Sequence, residues 1–152
     1  MSTFSLIIQG APYSTQAALS ALNFSKAALD SGHNIYRLFF YQDGVHNASA
    51  LIVPPQDEIH LPRIWQDLIS TFKLDAVVCI ASALKRGIVD PGEADRYELP
   101  ASNILSGFRS ERSHISERTG VGDFRATIRA SEPENFSFSP KEPFVPITIR
   151  SN

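Results

Sequence analysis

A parallel α/β sheet flanked by helices is the fold class that this 152-residue sequence predicts, and three observations predict it. Short runs rich in β-branched and aromatic residues (4–9, 35–41 and 74–79) alternate with segments whose apolar residues recur at steps of three and four. The second run is nearly continuous in large residues, as expected of a strand covered on both faces. The first strand, helix and second strand fit within about forty residues, the span of a βαβ unit.

The elements follow in order. Phe4–Gln9 is a first strand, ended by Gly10-Ala11-Pro12. Ser14 or Thr15 can cap the helix that follows, whose inner face is Ala18, Ala21, Leu22, Ser25 and Leu29. Gly32 suits a left-handed helix stop, and Ile35–Tyr41 is the second strand. Gln42–Asn47 reads as a polar loop leading into a short helix through Ala50 and Leu51, which Pro54-Pro55 breaks. Leu61–Phe72 is a helix carrying Ile64, Trp65, Leu68, Ile69 and Phe72 along one side. Leu74–Cys79 is a third strand. A short helix through Arg86, a turn at Asp90-Pro91-Gly92 and a mixed segment to Phe108 come next. Beyond Arg109 the texture changes. The charged run Ser110–Arg118 lacks apolar periodicity, and Pro133, Pro140 and Pro143 suggest an extended or disordered tail. Only Phe144–Ile149 reads as a late strand there, and Pro146 restricts it to an edge. The division expected is therefore a domain over 1–109 and an atypical tail over 110–152.

Bulk properties bound the function. Net charge is −2, so no basic field exists to grip a nucleic-acid backbone, and any RNA is expected to be reached through another protein. The single cysteine rules out a disulfide framework and a CxxC site. No apolar stretch approaches a membrane span, and the amino terminus lacks a signal-peptide pattern; a cytoplasmic protein is expected. No two histidines have metal-ligand spacing, so neither a metal nor a cofactor is expected.

Three stretches can carry chemistry. Cys79 lies where an apolar strand meets a helix start, Ile80-Ala81, with Lys85 and Arg86 following. A helix amino end beside cations lowers a thiol's pKa from about 8.5 to about 7 or below, raising the nucleophilic thiolate roughly tenfold. Pattern alone favours reading the same residue as a small buried core thiol. The loop Tyr13-Ser14-Thr15-Gln16 after Gly10 can hold an anion on backbone amides, or simply turn the chain and cap a helix. Asp43 and His46, in the loop after the second strand, share the carboxyl rim with Cys79 and can orient or protonate a sulfur leaving group.

With these stretches in view, the chain resembles the DsrE/TusD family of small sulfur-relay proteins. The likeness is carried by Gly10–Ala17, Gly32-His33, Phe39–Ala48, Val78–Asp90, Ala101-Ser102-Asn103 and Gly107-Phe108, and it covers roughly residues 1–109. The resemblance implies a flavodoxin-like/DsrE-like fold and a sulfurtransferase activity in which Cys79 carries sulfur as a persulfide. Amides of Ile80 and Ala81, with Lys85 or Arg86, would steady the anionic sulfur. It also implies relay toward 2-thiouridine at the wobble position of tRNA, within a hetero-oligomer of TusB-like and TusC-like subunits served by TusA-like and TusE-like carriers. Two alternatives stand beside this. One is a subunit for sulfur oxidation with DsrF-like and DsrH-like chains; the other is a non-catalytic assembly subunit. With one cysteine present, a persulfide here cannot be resolved within the chain, so transfer must be intermolecular. After Phe108 the family's Ser-Gly-Leu-Gly type turn, helix and last strand are missing. Glu117-Arg118-Thr119-Gly120 is compatible with a coding stretch that reads Ser-Gly-Leu-Gly one base over, so a frameshifted or replaced terminus is expected.

Overall fold

Four parallel strands, stepping across the sheet in the order of the sequence, form the frame of the molecule. The computed structural model describes residues 1–112 and, as backbone, residues 127–130. Strand β1 (Thr3–Ile8) leads through helix α1 (Ala17–Asp30) to β2 (Asn34–Phe40). A 3-10 helix (Gln42–Ala48) and α2 (Leu61–Phe72) precede β3 (Ala76–Cys79). Helices α3 (Ile80–Leu84) and α4 (Pro91–Arg96) then lead to β4 (Phe108–Glu111), and β5 spans Thr127–Ala130. The order is β4-β3-β2-β1-β5, with β5 antiparallel to β1.

Because the first three crossovers all step the same way, the right-handed rule places their helices on one face. The strand alternation agrees. Leu6, Leu38, Ala76 and Phe108 are in register across four strands, as are Ile8, Phe40 and Val78 above them, and all join the main core. Trp65 of α2 is fully buried and meets the Phe40 ring edge-on, with centroids 5.4 Å apart. Ile7, Phe39, Val77 and Arg109 form the row on the opposite face.

Most expected elements are present, and α2 has the expected ends. Five expectations are corrected. Gln16, not Ser14 or Thr15, is the cap residue of α1 and makes no side-chain cap bond; Thr15 Oγ1 only accepts from the Ala17 amide, at 3.3 Å. Gln42–Ala48 is itself helical, and no helix runs through Ala50 and Leu51: Ser49 is extended and bridges Ile104. Asp90-Pro91-Gly92 opens α4, where Asp90 Oδ1 accepts from the Glu93 amide at 2.9 Å and proline suits the first helical position. The segment read as mixed ends in β4, a parallel strand that runs past Arg109 to Glu111. A late strand is present at Thr127–Ala130, where none was expected. Four residues are too few for alternation to stand out from charged neighbours. The expected strand at Phe144–Ile149 lies outside the described residues. The Gly32 stop holds at φ +75°, with the His33 amide donating back to Ala28 O at 2.9 Å.

Candidate functional site

The carboxyl ends of β1, β2 and β3 carry three connections that are stitched together. Gly44 sits against the end of β1, where an added Cβ would come 1.9 Å from Ile8 O, so only glycine allows this approach. Asn47, fully buried, donates from Nδ2 to Gly10 O at 3.0 Å and to Gly44 O at 2.9 Å. The Gln42 amide donates to Ser82 Oγ at 3.2 Å, tying the 3-10 helix to α3. Arg86 closes the same seam, pairing through Nε with Asp43 Oδ1 at 2.7 Å and donating from an Nη to Ser82 O at 3.2 Å.

Cys79 is the cap residue of α3, with extended backbone (φ −66°, ψ 113°) and 2% exposure. Ile80 and Ala81 form the first turn of that helix, as the sequence suggests. The helix is only five residues long, so Lys85, its carboxyl-terminal cap, and Arg86 stand at the end away from the thiol. Arg86 is matched in charge by Asp43. The helix-start amides are thus next to Cys79 in the chain, whereas the two cations follow a full helix later.

Ser14, Thr15, Asp43 and His46 come together around one pocket of about 420 Å³, completed by Gly10, Ala11, Pro12 and Ile52. Tyr13 and Gln16 line a neighbouring hollow of about 560 Å³ that Ser14 and Thr15 share. Tyr13 adopts φ +67°; its hydroxyl donates to Ile59 O at 2.9 Å and accepts from the Leu61 amide at 3.1 Å. Cys79 lines neither pocket. The loop residues and the Asp43/His46 pair, read as separate candidates, therefore share one site beside the thiol's strand.

On the far face of the sheet, Arg37 Nε lies 2.6 Å from Asp75 Oδ2 and an Arg109 Nη 2.8 Å from Asp75 Oδ1. Partial burial works to raise the Asp75 pKa, but hydrogen bonds and charge from Arg109 and Arg37 outweigh it and hold the carboxyl below its ordinary value. Arg109 also reaches Glu111 Oε2 at 3.0 Å. Sequence reading did not single out Asn47, Ser82 or Glu111. A serine three places after Cys79 is visible as a signal, but Glu111 gains its position only through β-sheet register. Among the described residues no group of three His, Cys, Asp or Glu is placed to hold a metal ion, and no helix is long and apolar enough to cross a membrane.

A family model described as the DsrE/DsrF-like family matches residues 3–110. The chain belongs to that family. DsrE of Allochromatium vinosum is 51% identical over 106 residues, covering 70% of this chain and 82% of its own length. A sulfurtransferase TusD homolog of Pseudomonas aeruginosa is 54% identical over 101 residues, 66% of this chain and 76% of that one. Sulfurtransferase TusD of Salmonella typhi is 44% identical over 105 residues, 69% and 82% of the two chains. Among solved structures, the YchN protein of E. coli superposes with a TM-score of 0.53 at 15% identity, over 74% of this chain and 85% of that one, a likeness of fold. Family membership and these relatives support a role in sulfur transfer. The matched region ends at residue 110, inside β4.

Proposed function

We propose that this DsrE/DsrF-like chain is a sulfurtransferase subunit that carries sulfur as a persulfide on Cys79 and relays it between proteins, toward 2-thiouridine at the tRNA wobble position. The observation that carries the reading is the place of the sole thiol: at the strand-to-helix junction of β3, on the rim where the loops of β1 and β2 are bound together. Ligands of open α/β sheets collect at that rim. In the proposed step the Cys79 thiolate attacks the outer sulfur of a donor persulfide. A sulfur–sulfur bond forms at Cys79, and the donor's inner sulfur leaves as a thiolate that takes up a proton. An acceptor thiolate on another protein then removes the outer sulfur and returns Cys79 as a thiolate. The amides of Ile80 and Ala81 stabilise the anionic sulfur. Asp43 and His46 orient the incoming group from the pocket they share with Ser14 and Thr15, and Tyr13 and Gln16 extend that surface. Lys85 and Arg86 bear on the site through the far end of α3, Arg86 by fixing Asp43. With Cys79 2% exposed, transfer requires the thiol to be uncovered when a partner docks.

The same reading assigns residues 1–109 to the sulfur-transfer domain and 110–152 to an atypical tail, a boundary that β4 spans. It places the chain in the cytoplasm, in a hetero-oligomer with TusB-like and TusC-like subunits and TusA-like and TusE-like carriers. A second pathway stands beside this one, sulfur oxidation with DsrF-like and DsrH-like partners, for a chain that is also 51% identical to the sulfurtransferase DsrE of Allochromatium vinosum. Intact-mass measurement after incubation with a cysteine desulfurase and cysteine tests the chemistry. The expected result is a gain of one sulfur on Cys79, lost on reduction and absent from Cys79→Ser. No gain on the wild-type chain, with or without a relay carrier, leaves the non-catalytic assembly role.

A further inference from the structure

The segment from Leu51 to Ile59, between the 3-10 helix and α2, turns large apolar side chains outward. Exposure alternates along its first half: Leu51 is 72% and Val53 85% exposed, and Pro55 is exposed, while Ile52 and Pro54 are half-buried. Ile52 lines the pocket around Asp43 and His46, and Ile59 lines the hollow that Tyr13 shares. The backbone is fastened at both ends. The Ala50 amide donates to Asn103 O at 2.8 Å and the Leu51 amide to Ser49 Oγ at 3.2 Å. At the other end the Tyr13 hydroxyl donates to Ile59 O and accepts from the Leu61 amide. Pro54-Pro55 removes further backbone freedom. Leu51 and Val53 are thus held out to solvent, and covering them costs little ordering entropy. Asp57 and Glu58 are also exposed, and neither carboxylate has an ion-pair partner among the described residues. The segment contains no basic residue. A second copy of this chain fits it poorly, because a twofold contact brings Asp57 and Glu58 against themselves. Basic side chains on a different protein complement them.

We propose that this segment is where the protein delivering sulfur to Cys79 docks, and that the partner meets it with an apolar cleft edged by lysine or arginine. The inference rests on the sulfur-transfer reading above and names the contact surface that transfer uses. Leu51 and Val53 are the anchors the cleft encloses, and Asp57 and Glu58 are the charges that steer its rim. A specific protein contact covers about 800 Å² on each partner. A protein that reaches the carboxyl rim of the sheet therefore also rests on the surface bordering it, and this segment borders it through Ile52 and Ile59.

The test uses the full-length chain and a TusA-like carrier loaded as a persulfide. Intact mass follows the sulfur gained by the chain at increasing carrier concentration. Leu51→Ser combined with Val53→Ser is expected to raise the half-saturating carrier concentration about tenfold and to leave the saturated rate unchanged. Both side chains are exposed, so the fold tolerates the change. Asp57→Asn combined with Glu58→Gln is expected to raise the half-saturating concentration about threefold at low salt and to flatten its salt dependence. An unchanged half-saturating concentration in the Leu51 and Val53 variant overturns the proposal. So does a fall in its saturated rate, which marks damage to the site and not lost docking. Tighter use of the carrier by the Asp57 and Glu58 variant overturns the basic rim assigned to the partner. A wild-type chain that gains no sulfur at any carrier concentration fails differently: it removes the sulfur-transfer reading itself, and the docking surface with it.

Discussion

The two faces of the sheet are built from the same four parallel strands and yet are held by different forces. One face carries Leu6, Leu38, Phe40, Ala76, Val78 and Phe108 beneath the helices, with Trp65 fully buried against Phe40. The other carries Ile7, Phe39, Val77 and Cys79, and on it Asp75 joins Arg37 to Arg109 while Arg109 reaches Glu111. Apolar burial yields large, pH-independent stability, whereas ion pairs between partly exposed side chains contribute little. The difference separates tasks: the helix-covered face fixes the fold, and the other holds charged groups that add little to its stability.

Substitutions on each face break or sharpen this contrast. The largest effect is expected for Trp65→Ala, which empties the helix-covered core and costs about 3–5 kcal/mol, measured as a fall in the urea midpoint. Gly44→Ala comes next. A methyl group there meets Ile8 O at 1.9 Å, so the 3-10 helix must move away from β1, at about 1–3 kcal/mol and with loss of the pocket around Asp43 and His46. Protection of the Asn47 side-chain amide from hydrogen exchange reports the displacement. The smallest effect is expected for Asp75→Asn on the charged face, and it is confined to a pH window. The folded-state pKa of Asp75 is depressed, so its stabilisation is complete above the unfolded value of about 3.9 and fades as pH falls through the lower folded value. Urea midpoints of wild type and Asp75→Asn should therefore differ slightly at pH 7 and converge in acid. An Asp75→Asn cost as large as that of Trp65→Ala would abolish the contrast.

Long periodic segments made the architecture legible in the sequence. Leu61–Phe72 carries five large apolar residues at helical spacing and folds with those ends. Leu74–Cys79 ends at Cys79 in the structure as it does in the pattern. Features decided by a few residues were harder to read. The 3-10 helix lacks an apolar stripe and is held by Gly44, Asn47 and Ser82, whose partners lie 36 to 40 residues away or in a neighbouring backbone. Asp90-Pro91-x-Glu93 is a capping signature that a turn reading of Asp-Pro-Gly passed over. At the site, the residue types Cys79, Asp43, His46, Ser14 and Thr15 stood out for their chemistry, but which of them share a pocket depended on the rim's folding. Glu111 could not be found from local pattern, because only the pairing of β4 with β3 makes it a neighbour of Cys79.

The unbroken β1-to-β4 progression has a consequence for assembly. Each of these strands docks beside its predecessor, so the sheet can zip up from the amino terminus while the chain is still leaving the ribosome. Strand β5 breaks that rule, since joining Thr127 to Ile7 closes a loop 120 positions long. Such closures carry the greatest entropic penalty and come last. A nascent chain halted before Thr127 would thus already possess the whole parallel frame, sulfhydryl included, with one flank of β1 awaiting its ribbon.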